Sequence, residues 1–301
     1  MLPVAIVLAA ILWLLAEFAA DSLLQWQTLG GLAAIAFIAY SLIEVNAVHS
    51  FIRTGTSFHT SVFLIFFTSV PALYVQGITF LVPCLFMLQI GMLFGSFENP
   101  YASTPVFNSF LSLGLITLIQ PYFLLLVPVV YLQLGYLRSF SLRTFLAGIM
   151  GLSLPYWLLW GYAAYSGDYS YLILKLQGLV SFSHIDFSHL GIEQCLTYVF
   201  FFLLSVISGF HTYDSSYKEK VHTRLMLHVV VIMEIFVNLM LIFQPQHFNV
   251  LMSVLVILCS ITSGYMFSVK FTPFTRVFIY FVLILWLVVL IFNLWTLFNL
   301  F

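Results

Sequence analysis

Four side chains able to do chemistry crowd into SHIDFSHLGIE, residues 183–193: His184, Asp186, His189 and Glu193. Imidazole and carboxylate both ligate zinc and related ions, and His189 and Glu193, four apart, would share a helix face. His184 and His189 are five apart and would not. The spacing matches no standard zinc signature, so the expectation is a solvated polar loop holding no metal and no cofactor. Proton sensing by the histidines is the sharper alternative.

A second anomaly lies in VVVIMEIFVNLM, residues 229–240, where Glu234 stands in the middle of an apolar run. Asn238 follows at i, i+4 and extends the same face, whereas His228, six residues earlier, points elsewhere. In a bilayer, insertion scales charge about 2.5–3.5 kcal/mol for an acidic residue at a helix centre. Glu234 is therefore expected to face other helices rather than lipid, as a neutral group or one shared with a polar partner. It serves either packing or a proton or substrate site.

Two further polar groups flank apolar tracts. IEVNAVHSFIRTGTSFHT, residues 43–60, places Glu44, Asn46, His49, Arg53 and His59 at one end of a tract. Glu44 lies about one turn inside, where a carboxylate needs protein, water or a base such as His49 or Arg53. HTYDSSYKEKVHTR, residues 211–224, mixes His211, Asp214, Glu219 and His222 with Lys218, Lys220 and Arg224. That composition suits a short solvated connection, with a weak anionic-lipid contact by its three bases as the alternative.

The medium is set by composition. With 63% hydrophobic and 6% charged residues and a mean hydropathy of +1.12, the chain lies far from the roughly 25% charged residues of soluble domains. A net charge of −1 offers no basic surplus to neutralise phosphates, which excludes nucleic acid as a partner. Membrane lipids are the expected surroundings, with a lipid-linked substrate or other membrane proteins as partners. Cys84, Cys195 and Cys259 are widely spaced in apolar segments and suggest neither a disulfide framework nor a metal site.

Apolar tracts near 2–19, 29–48, 144–165, 194–212, 225–243, 249–268 and 276–298 have the length a spanning helix needs. The first lacks the basic flank of a cleaved signal and is expected to stay as a helix. Tracts 59–97 and 106–137 each read as a hairpin of two helices, broken near Gln76-Gly77 and Gln120-Pro121. The fold class is all-α: a polytopic integral membrane helical bundle of about eleven spans, nine to eleven if a hairpin is re-entrant. Residues 1–301 then form a single integral membrane domain.

Of the nine Lys and Arg, eight fall in four loops, at Arg53, at Arg138 and Arg143, at Lys218, Lys220 and Arg224, and at Lys270 and Arg276. An even number of crossings separates these loops, so all four can be cytoplasmic together, with a cytoplasmic N-terminus. Lys175 alone is left outside. It lies in the outer connection, whose residues 166–193 are expected to form a partly helical interfacial cap.

Proline and glycine inside tracts point to broken helices. GIMGLSLPYWLLWG, residues 148–161, has Gly148, Gly151, Ser153 and Pro155 in sequence, so a kink is expected with carbonyls that Ser153 or a neighbour must satisfy. Broken helices line the cavities of many transporters and also occur as plain packing kinks. LVPCLFMLQIG (81–91) echoes LVPVVYLQLG (126–135), one residue shorter between proline and glutamine.

FNSF at residue 107, the Gln120-Pro121 break, LRSFSLRTF between two tracts and a closing G-x-x-x-PYW at residues 151–157 resemble a family of uncharacterised multi-pass proteins from Gram-negative anaerobes of the gut and mouth. The resemblance covers about fifty residues and implies a bacterial inner-membrane home, with no activity to carry over.

The chain lacks Walker, GxSxG, HExxH and CxxCH motifs, which removes the signatures of ATP-driven pumps, serine hydrolases, zincins and c-type haem carriers. Three readings remain. The leading one is transport-like handling of a lipid-linked or small envelope substrate, by a protein that is not an enzyme. The second is a structural or assembly component of an envelope machine. The third is a membrane-embedded transferase or polymerase centred on Asp21 or the 184–193 loop.

The threading has a direct check. Single cysteines introduced near residues 140 and 220 in a cysteine-free background should resist an impermeant thiol reagent in intact spheroplasts and react after lysis. Labelling at 220 in intact spheroplasts overturns the threading.

Overall fold

The computed structural model describes residues 2–19, 26–49, 57–73, 77–170, 173, 177, 190–268 and 273–299; the side chains of 15–19, 26–29, 77, 273–277 and 297–299 are not described. Among the described residues there are eleven α-helices and no strand. They are α1 (Leu2–Ala19), α2 (Trp26–His49), α3 (Phe58–Thr68), α4 (Leu81–Phe94), α5 (Ser103–Ile119), α6 (Leu126–Tyr136), α7 (Leu142–Ser166), α8 (Ile192–Ser215), α9 (Val221–Phe243), α10 (Phe248–Ser268) and α11 (Pro273–Asn299).

Among the described residues six stretches are long and apolar enough to cross a membrane: Gly30–His49, Leu142–Ser166, Ile192–Lys218, Val221–Phe243, Pro245–Ser268 and Phe278–Thr296. The chain is an all-α membrane protein. The two tracts expected to be hairpins break where proline demands it. Helix α3 stops at Thr68 ahead of Pro71, and α5 stops at Ile119 ahead of Pro121, each proline opening a 3₁₀ turn. Proline lacks the donor and disfavours helix in the residue before it. The resulting pieces are short. Helix α3 has 11 residues and α6 has 11, about 16 Å each against a hydrocarbon core of about 30 Å. Pro83 and Pro128 lie in the first turns of α4 and α6, where no intrahelical donor is lost.

Packing divides the chain into two compact units, residues 81–184 and the remainder. In the first, α5 and α7 approach through glycine. A Cβ at Gly114 would sit 2.8 Å from the Leu152 carbonyl oxygen and 3.1 Å from Pro155 Cγ, and one at Gly151 would run into the Phe107 carbonyl. Gly148 accepts the Tyr131 ring, whose hydroxyl donates to the Phe145 carbonyl at 3.1 Å. Helix α7 is opened by a capping box, Ser141 Oγ accepting from Thr144 N and Thr144 Oγ1 from Ser141 N. It is closed by Gly167 at φ +72°, the left-handed position that favours glycine.

The other unit is built around α10. Nineteen of its 21 residues are buried, Phe248 and Val250 through Phe267. Helices α3, α8 and α9 pack against it, α1 and α2 pack on α3, and α11 packs on α8. Gly264 makes the α3 contact possible, since a Cβ there would lie 2.7 Å from His59 Cβ and 2.8 Å from its Cα. His59 Nε2 in turn bonds the Leu42 carbonyl of α2 at 2.9 Å. Asn293 of α11 donates to Thr197 of α8 at 3.2 Å and to the Ser69 carbonyl at 3.4 Å.

Backbone contact at glycine is costly to disturb. Gly264→Val should lower the thermal midpoint in detergent by several degrees or abolish monodisperse protein. Gly161→Ala, with nothing within 4 Å of the added carbon, should be neutral or stabilising by up to about 1 kcal/mol. Fluorescence-detected gel filtration after heating checks both.

Candidate functional site

Glu234 lies near the middle of α9 and is 1% exposed. Its surroundings come from two other helices. Oε1 accepts from Cys259 Sγ at 3.0 Å and from Thr262 Oγ1 at 3.3 Å, both on α10. Oε2 has no hydrogen-bond partner and lies 3.7 Å from where a Cβ would stand on Gly209 of α8. A methyl group would fit beside that oxygen, so the glycine leaves room there. One oxygen is held twice and the other is open.

Asn238, one turn on, donates from Nδ2 to the Glu234 carbonyl at 2.8 Å and to Ser205 Oγ of α8 at 2.8 Å, while its Oδ1 has no partner. Ser205 is also the hydroxyl beside the Glu234 carboxyl. The Thr262 hydroxyl, besides reaching Glu234, lies 3.0 Å from Ser208 Oγ, and Thr212 Oγ1 donates to the Thr262 carbonyl at 3.3 Å. The result is a polar seam at the meeting of α8, α9 and α10. Among the described residues no ion pair involves Glu234.

Glu234 and Asn238 share this seam, facing helices as their spacing predicts. His228 faces away from it. It bonds Ser216 Oγ at 2.8 Å and stacks on Tyr213 at 4.7 Å, at the α8–α9 connection. Ser205, Ser208, Gly209, Thr212, Cys259 and Thr262 were not singled out from sequence. Their signal is spacing: 205, 208, 209 and 212 recur at helical period on one face of α8, and 259 and 262 on one face of α10.

The remaining candidates do not join them. Glu44 is exposed on α2 and has no ion pair among the described residues; its expected partner Arg53 lies outside the described residues. His49 stacks on His222 of α9 at 5.8 Å. Ser153 and Pro155 belong to the other unit. Ser153 Oγ donates to the Met150 carbonyl at 3.2 Å, while Pro155 is buried with Tyr156 beside it bonding Thr117 at 2.9 Å. In the expected outer cap, His184, Asp186, His189 and Lys175 lie outside the described residues, as does Asp21. Glu193 is half-buried in the first turn of α8.

Site and fold define a class: a multi-pass α-helical membrane protein with a carboxyl enclosed among neutral hydrogen-bonding groups. No protein-family model, curated protein or solved structure matches the chain, so its role has to be read from its own geometry.

The seam sets stability expectations. Glu234→Gln keeps the shape and should leave the melting temperature within about two degrees. Glu234→Leu removes the two interhelical hydrogen bonds from Cys259 and Thr262 and should cost roughly 1 kcal/mol, since such bonds in membranes average about 0.6 kcal/mol each. Gly209→Ala should be tolerated and Gly209→Leu should not. Thermal melts in detergent check the order.

Proposed function

We propose that this is a multi-pass protein of the bacterial inner membrane, its N-terminus cytoplasmic, that handles a small or lipid-linked envelope substrate in transport-like fashion, with Glu234 as its working intramembrane carboxyl. The observation that carries the reading is the uneven use of that carboxyl among the described residues: two donors at bonding distance on Oε1 and none on Oε2, with the Ser205 hydroxyl beside the carboxyl. A carboxyl kept only as a strut gains by saturating both oxygens, because an unmet acceptor in hydrocarbon costs free energy. Ionisable groups enclosed within membrane helices mark substrate, ion or proton routes.

The lipid-linked part rests on two apolar grooves beside α3. One, of about 470 Å³, lies among α1, α3 and α11; the other, of about 530 Å³, lies among α1, α2 and α3. Both fall in the size range of small-molecule sites. The second is lined by Trp13 and Thr60, whose Nε1 and Oγ1 are buried without partners. A groove of this size and apolar lining suits a long hydrocarbon chain.

Native mass spectrometry of the purified protein, with lipid extraction alongside, tests the proposal. Wild-type protein should co-purify with a minor lipid species enriched at least ten-fold over its share of the membrane extract. Glu234→Gln should hold more of it, because a carrier that cannot cycle keeps its cargo. Ala39→Phe, which fills the second groove, should hold less. Lipid in bulk membrane proportions in all three proteins overturns the proposal.

A further inference from the structure

We infer that the buried hydroxyls of α8 form a one-sided proton route between the α8–α9 connection and Glu234, so that the ligand of the seam is a proton. The inference rests on Glu234 being the working carboxyl. Ser208, Thr212 and Ser216 recur at i, i+4 and i+8, and each is fully buried. The line is joined to the carboxyl by two bonds, Ser208 Oγ to Thr262 Oγ1 at 3.0 Å and Thr262 Oγ1 to Glu234 Oε1 at 3.3 Å. Its other end is Ser216 Oγ, 2.8 Å from His228 Nε2. Neighbouring hydroxyls on α8 stand about 6 Å apart along the axis, a gap that one bridging water spans.

Small buried hydroxyls alone would mean only close packing. Oε2 of Glu234, buried without a hydrogen-bond partner among the described residues on the side of Gly209, is what gives the line an end point. The titratable groups facing the route are few. Cys259 of α10 is the one that touches Glu234, and Tyr213, Tyr217 and Arg224 surround His228, the Arg224 guanidinium lying 5.7 Å over the Tyr217 ring. Beyond Glu234 in the other direction the polar line stops at Ser205 and Asn238, and the buried apolar Phe200, Phe201 and Leu204 of α8 separate them from Thr197 and Asn293. The route therefore opens at the α8–α9 connection, which carries Lys218 and Lys220.

Each step exchanges one O–H or N–H bond for another. An imidazolium His228, charged by a proton taken from water at the connection, gives its Nε2 proton to Ser216 and returns to neutral imidazole, while Ser216 passes its own onward through water and Thr212 to Ser208. Ser208 gives a proton to Thr262 as Thr262 gives its own to Glu234 Oε1. Every hydroxyl ends neutral, the carboxylate becomes a carboxylic acid, and a half-turn of the carboxyl places the proton on Oε2 beside Gly209. Transfer outward reverses these steps.

Infrared difference spectroscopy of the full-length protein in nanodiscs reads this directly. A protonated-carboxyl band should titrate with pH and be absent from Glu234→Gln. On transfer to D₂O, the rate at which the band shifts reports proton access to Glu234. Thr262→Val and Ser216→Ala should each slow that shift at least ten-fold, whereas Ser253→Ala, an α10 hydroxyl off the line, should not. If Thr262→Val does not fold, Ser208→Ala interrupts the same link and gives the readout. Unchanged exchange in the line variants overturns the route but leaves Glu234 as the working carboxyl. Absence of any Glu234-dependent protonated band overturns the proton as ligand, and the lipid co-purification result stands or falls separately.

Discussion

A polar atom enclosed by membrane helices has no water to turn to, so it bonds within the protein or costs several kcal/mol. Helix α10 shows how this unit meets that constraint. It is buried on all sides yet carries Ser253, Ser260, Thr262 and Ser263. Ser253 Oγ donates to the Val250 carbonyl at 2.7 Å, Ser260 Oγ to Ile257 at 2.6 Å, and Ser263 Oγ to the Cys259 carbonyl. The hydroxyls fold back on their own helix. Small side chains that satisfy themselves let α3, α8 and α9 come close without leaving donors stranded, and small residues are what membrane helix contacts use.

Against that self-contained background, outward-reaching groups are the exceptions. Cys259 and Thr262 face Glu234, and both have another acceptor as well, Cys259 Sγ the Phe201 carbonyl of α8 at 3.8 Å and Thr262 Oγ1 the Cys259 and Leu258 carbonyls of its own helix at 3.3 and 3.4 Å. Neither needs the carboxyl to avoid being stranded outright. The unit around α5 and α7 uses the same economy with only neutral buried groups between its helices, Gln89 Nε2 donating to Ser109 Oγ at 3.4 Å. There Gly114, Gly148 and Gly151 bring backbone against backbone and ring, and Pro155 packs its ring towards Gly114. The proline reads as a contact surface, which is why Ser153 is free to bond Met150.

What was legible in the sequence follows from how anomalous each residue is. A carboxylate in the middle of an apolar run must face protein, and Asn238 one turn later shares its face, so half the seam could be read in advance. The helix end near Pro121 could be read too, because proline acts on the backbone locally, whereas the first tract was expected to break near Gln76-Gly77 and α3 ends earlier, ahead of Pro71. Ser205, Ser208, Gly209 and Thr212 could not, since serine, threonine and glycine are frequent in membrane helices and mean nothing until a partner helix is placed against them. Cys259, set aside as one of three scattered thiols, gains its role only from the 3.0 Å contact with Glu234. Glu44 is the reverse case. Its position called for protein, water or a base such as His49 or Arg53; it is exposed on α2, and Arg53 lies outside the described residues.

The chemistry of the seam depends on what it omits. A lysine or arginine beside Glu234 would fix the carboxylate as an ion, and a buried pair of that kind resists any change of charge. Among the described residues the groups touching the side chain are a thiol and hydroxyls. Hydroxyls both donate and accept, so they can attend either protonation state by rotating. The cations Lys218, Lys220 and Arg224 stand instead at the α8–α9 connection, and His228, at Ser216, lies between them and the carboxyl along α9. Charge is thus kept at one end of α8 and α9 and a neutralisable acid midway along, with buried hydroxyls between, the arrangement on which the proposed proton route relies.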